Sequence, residues 1–148
     1  MNENSYYDWN RRIPFAEHEA CGFAEWMNMA DPSCSFAVHP SGFRVFLRPE
    51  EVCRLDEYSE GDPYAVADNA DGPFHAFRVH TTIELLSLGI QDQECRPRIL
   101  DIACGEGHIT AAIQSAFPNA RISAFDCSIS AIDRAAKAYP GIDFAVAD

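Results

Sequence analysis

The residues best placed to do chemistry lie in one short run, ILDIACGEGHIT, from Ile99 to Thr110. An apolar stretch delivers a carboxylate at Asp101, then two glycines, Gly105 and Gly107, into what reads as a strand-to-helix turn. Glycine takes positive φ and lets another molecule come close to the backbone, so such a turn can press its amides against a ligand. The carboxylate at the same edge selects the sign of that ligand. A phosphate would be repelled there, whereas an ammonium or sulfonium group would be held. Two further acids follow at strand-like ends, Asp126 closing RISAFD and Asp148 closing the sequence.

The elements that would position these residues are regular. Strands are predicted over 98–103, 121–126 and 143–147, with helices over 108–117 and 130–139, the second capped by Ser128 or Ser130. Strands alternating with helices of this length make a βαβαβ unit, a parallel sheet with right-handed crossovers that binds ligands at the carboxyl ends of its strands. Upstream, Asp71 and Pro73 start a helix over 73–88 whose apolar side is Phe74, Phe77, Leu85 and Leu88, closed by Gly89. Residues 58–71 read as a loop. Earlier still come a helix from Pro14 to about residue 30, a hairpin of 35–38 and 43–47 around His39-Pro40-Ser41-Gly42, and a short helix opening at Pro49. The fold class is therefore α/β, a Rossmann-like partial parallel sheet with an N-terminal α+β extension. The division is 1–72 for the extension and 73–148 for the sheet unit.

The 99–110 run resembles the first motif of the class I S-adenosylmethionine-dependent methyltransferases, acidic-x-Gly-x-Gly-x-Gly after an apolar strand. Asp101, Gly105 and Gly107 match it, and Ala103 stands at the first glycine position. The resemblance implies S-adenosyl-L-methionine as cofactor, with the loop of Ala103, Cys104, Gly105 and Gly107 around its methionine part and Asp101 on its amino group. It implies that Asp126, with Cys127 beside it, takes the ribose hydroxyls, and that Asp148 reaches the adenine amino group. The family sheet has seven strands, so the resemblance also implies a cofactor-binding half, truncated after its third strand. Its uncovered edge then favours association with a second copy or a completing chain. The acceptor implied is a small molecule, and no catalytic residue is assigned.

Other readings are weighed on the same residues. The dinucleotide fingerprint needs a third glycine where His108 stands, so a nicotinamide-dependent oxidoreductase is the rival enzyme, with Asp126 still on a ribose. A non-catalytic remnant that binds a nucleoside or a partner is the other. Walker A fails for want of Gly-Lys-Ser/Thr. A formal charge of −12 repels phosphate backbones, which disfavours nucleic acid. His18, Cys21, Cys34 and His39 lack the tight paired spacing of a structural zinc site, so no metal is assigned. Six cysteines without a CxxC pair suit reduced thiols, and the sequence carries no bilayer-length apolar run, so the expected location is the cytoplasm.

Overall fold

The computed structural model describes residues 13–14, 35–47, 51, 72–90 and 96–148. Its elements, in order, are β1 (Ile13–Pro14), β2 (Ser35–Val38), β3 (Arg44–Val45), α1 (Pro73–Gly89), β4 (Arg98–Ile102), α2 (His108–Ala116), β5 (Arg121–Asp126), α3 (Ile129–Ala138) and β6 (Asp143–Val146). The βαβαβ unit forms as the alternation of apolar strands and helical stretches requires. β4 pairs with β5, and β5 with β6, all parallel, so the carboxyl ends of the three strands share one edge.

The sheet is larger than that unit, six strands in the order β1-β2-β3-β6-β5-β4. Short β3 adds parallel to β6, with Val45 opposite Val146, and β2 and β1 follow antiparallel. The ladder thus crosses the 72/73 division drawn from the sequence. Arg44 of β3 pairs with Asp143 of β6 at the start of the parallel ladder, and Phe46 donates its N–H to the Val146 carbonyl at its end (2.9 Å). The hairpin forms over Ser35–Val38 as expected. Its second strand is only Arg44–Val45; across the turn His39 N–H donates to the Phe43 carbonyl (2.8 Å), and Gly42 takes a φ of 91°.

The core lies between the sheet and α3. That helix buries Ile129, Ala131, Ile132 and Ala135, residues spaced three and four apart so that one face meets the sheet. Ile129, Ile132 and Ala135 pack with Val45, Ala124, Phe144 and Val146. Alanines on this face bring the helix close, and Gly107 exploits the closeness. A Cβ there would lie 2.7 Å from Phe144 Cζ and 3.3 Å from Ala135 Cβ.

Several local expectations change. The helix cap placed at Asp71 is Gly72, in extended conformation and without a side-chain bond, and Asp71 itself lies outside the described residues. The apolar side of α1 is not buried: Phe74, Phe77, Leu85 and Leu88 are exposed. Periodicity marked a helix face but carries no information on what covers it. Finally, β4 stops at Ile102, which leaves Ala103 in the bend. Pro14, expected at the first turn of a helix, lies instead in the edge strand β1 opposite Ser35, where a residue without an N–H is tolerated. The rest of that helix, most of the one expected from Pro49 and the loop over 58–71 fall outside the described residues, though Glu51 is helical. So do His18, Cys21 and Cys34. Among the described residues no helix is long and apolar enough to cross a membrane.

Candidate functional site

The bend between β4 and α2 is built from three residues in the left-handed region, Ala103 (φ 60°), Gly105 (φ 55°) and Gly107 (φ 77°). For an alanine this conformation costs roughly 1–2 kcal/mol. The bend is held by bonds to β5. Cys104 N–H donates to the Phe125 carbonyl (3.1 Å), and Gly105 N–H donates to Asp126 Oδ2 (2.9 Å). Asp126 Oδ1 accepts from Ser128 N–H (2.9 Å), while Ser128 Oγ accepts from Ala131 N–H (3.2 Å) and caps α3. Of the two serines the sequence offered as caps, Ser128 is the one used. Asp126 therefore joins the bend to the start of the next helix.

Asp101 is the penultimate residue of β4, opposite Ala124. Its Oδ2 accepts a 2.6 Å hydrogen bond from the Thr110 hydroxyl on α2. Burial pushes its carboxyl above the ordinary value; Thr110 and the Arg78 guanidinium of α1 oppose this, and the charge of Asp126 adds to it. Two carboxylates thus share one half-buried edge. The charge of Asp126 raises the free energy of ionising Asp101, and a cation placed between the two carboxylates would relieve that repulsion.

The neighbouring thiols are poor nucleophiles. Burial, reinforced by Asp101 and Asp126, pushes Cys104 far above the thiol range, and burial with Asp126 also raises Cys127. Beyond β6, Ala147 N–H donates to the Asp126 carbonyl (3.1 Å), which brings exposed Asp148 to the same edge, two residues past the end of its strand. The acids do not all close their strands as the sequence suggested: Asp126 does, Asp101 lies one residue inside, and Asp148 two residues outside. All eight sequence-derived positions, Asp101, Ala103, Cys104, Gly105, Gly107, Asp126, Cys127 and Asp148, nevertheless occupy the carboxyl-terminal edge of β4, β5 and β6.

Several residues of the site were not foreseen. Thr110 fixes the Asp101 carboxylate, and Arg78 sets its electrostatic surroundings. Glu106, between the glycines, accepts from Arg134 Nε of α3 at 2.7 Å and lies 3.4 Å from His108 Nε2. His108 Nδ1 is 2.9 Å from the Tyr139 hydroxyl, and the His75 ring of α1 meets the His108 ring edge-on. His108 therefore belongs to a side-chain network that ties α1, α2 and α3 together. The one sequence signal for these residues was a charge, Glu106, set inside a glycine bend.

Residues 99–148, the stretch that builds the edge, match a family described as a methyltransferase domain. Among solved structures, the amino pentose methyltransferase CalS10 from Micromonospora echinaspora, bound to S-adenosylmethionine, is 19% identical; the match covers 57% of this chain and 34% of that one, with a TM-score of 0.47. The plantazolicin methyltransferase BpumL, in complex with S-adenosylhomocysteine, is 26% identical over 67% of this chain and 42% of its own, with a TM-score of 0.48. Another plantazolicin methyltransferase, BamL, is 21% identical over 67% and 40%, with a TM-score of 0.49. The match with this chain spans between 34% and 42% of the length of these three structures.

Proposed function

We propose that this chain, whose residues 99–148 match a methyltransferase domain, forms the S-adenosylmethionine-binding part of a methyltransferase acting on a small molecule. One observation carries the reading: Asp101 and Asp126 lie on adjacent strands at a half-buried edge, around a bend of three positive-φ residues. A ligand that combines an ammonium, a sulfonium and a ribose diol suits that edge. Asp101, with its carboxylate already oriented by Thr110, would hold the amino group. Exposed Ala103 and the buried Gly105 and Gly107 would pack along the methionine chain, with Cys104 as inert filling. Asp126 gives one lone pair on each oxygen to Gly105 and Ser128, which leaves acceptor capacity for ribose hydroxyls. Asp148 and Cys127 would line the nucleoside end.

When bound, S-adenosylmethionine supplies an electrophilic methyl group. The chain's own work is then to bind, orient and exclude water. An acceptor that must lose a proton needs a base outside the residues assigned here. The net charge of −12 supports a small-molecule acceptor over a nucleic acid, and six cysteines without a CxxC pair suit a cytoplasmic setting.

Calorimetric titration of the full chain with S-adenosylhomocysteine and with NAD tests the reading. Saturable one-to-one binding of the first, without binding of the second, is the expected result. NAD binding alone would establish the dinucleotide rival, and binding of neither would remove the cofactor assignment.

A further inference from the structure

Glu106 is the one residue of the Gly105–Gly107 segment that carries a side chain, and that side chain is only 13% exposed. Each of the three residues has its own anchor. Gly105 donates to Asp126, Gly107 is wedged where a Cβ would strike Phe144, and Glu106 accepts from Arg134 Nε at 2.7 Å. Glycine backbones have many accessible conformations, so a bend rich in them must be fixed from outside. Helix α3 supplies this at two points, through Ser128 and Asp126 at its start and through Arg134 in its body.

Charge gives the pairing a second role. The edge already carries Asp101 and Asp126, and a further carboxylate turned inward would compete for a cationic group. Arg134 on one side and His108 Nε2 at 3.4 Å on the other draw the Glu106 carboxylate away, toward α3 and α2.

We propose that Glu106 is a positioning residue, which sets the ligand-facing conformation of the bend through Arg134. The proposal rests on the reading that this bend holds an adenosyl sulfonium cofactor. The test uses the full chain with Glu106→Gln, Arg134→Gln, Arg134→Lys and the Glu106→Gln/Arg134→Gln pair. It reads S-adenosylhomocysteine affinity together with amide hydrogen exchange at Gly105 and Gly107.

Each glutamine variant binds about tenfold more weakly, the net effect of one hydrogen bond to a charged group. Exchange at the two glycine amides quickens, while the β5 amides of Ile122 and Ala124 keep their rates. Arg134→Lys recovers part of the loss, and the double variant is no worse than either single one. Unchanged affinity and glycine exchange in a folded Glu106→Gln chain would overturn the proposal. So would exchange that quickens equally in the bend and in β5, which would mark a general loss of stability. Should Glu106→Gln fail to fold, Arg134→Gln against Arg134→Lys decides by the same readouts. A wild-type chain that binds no S-adenosylhomocysteine defeats the cofactor reading, and the glycine exchange rates still decide whether Glu106 and Arg134 set the bend.

Discussion

Replacing Asp126 with alanine tests the site and the fold together. In the native chain its carboxylate accepts two backbone N–H groups, from Gly105 and Ser128, each at 2.9 Å. Hydrogen bonds to a charged acceptor contribute about 1.5–3 kcal/mol each, and the partial burial of this pair argues for the lower end, about 3 kcal/mol in total. For a chain of 148 residues, at about 2–4 °C per kcal/mol, that is a fall in Tm of roughly 6–12 °C. Affinity for S-adenosylhomocysteine should fall as well, by about 10- to 100-fold, because the ribose acceptor goes and the Gly105 amide loses its anchor. Asp126→Asn keeps one acceptor oxygen and should fall between the two chains. The assay is thermal unfolding by circular dichroism, paired with calorimetric titration. An alanine variant that melts within about 2 °C of the parent and binds equally well would refute the reasoning about both roles.

Gly107→Ala should destabilise the chain by about 3 kcal/mol, combining a left-handed alanine with a Cβ driven into the buried Phe144 ring; urea unfolding measures it. Asp101→Asn should raise Tm at neutral pH while weakening cofactor binding. Burial raises the Asp101 carboxyl, so the folded state is favoured while that group is protonated, and it loses stability as pH rises from the ordinary 3.8 through the raised value. The stabilising effect of the substitution should therefore vanish on acidification toward pH 3.8, and a melting series over pH checks this. His39 works in the opposite direction. Its imidazole, stacked on Phe43, is held below the ordinary 6.5 by burial, against the pull of Asp133, so stability should decline as pH falls below about 6.5. His39→Gln should flatten that part of the melting profile.

Legibility followed the range of the interactions. The β4-to-β6 unit was readable because strand and helix periods are local, and Asp101, Gly105, Gly107 and Asp126 were readable because a glycine bend after an apolar strand has few uses. Ser128 and Ser130 were equal as caps in sequence. Bonds from Asp126 and to Ala131 decide between them. Long-range pairings left no local trace. Nothing in a two-residue strand at Arg44–Val45 announces that it will lie parallel to residues about a hundred positions later, and the Arg44–Asp143 pair appears only once the chain has folded. Glu106 and Arg134 are 28 residues apart and meet because α3 crosses the bend. Helix α1 was found from its pattern, yet the exposure of Phe74, Phe77, Leu85 and Leu88 depends on surroundings that a helical period does not encode.

The most direct measurement is a map of amide chemical-shift changes in the full chain as S-adenosylhomocysteine is added. If the edge holds the cofactor, the largest changes fall on Ala103 to Gly107, on Asp126 to Ser128 and on Ala147 and Asp148, with saturation at one equivalent. Changes centred instead at the opposite ends of the strands, around Arg98 and Arg121, or no changes at all, would contradict the account.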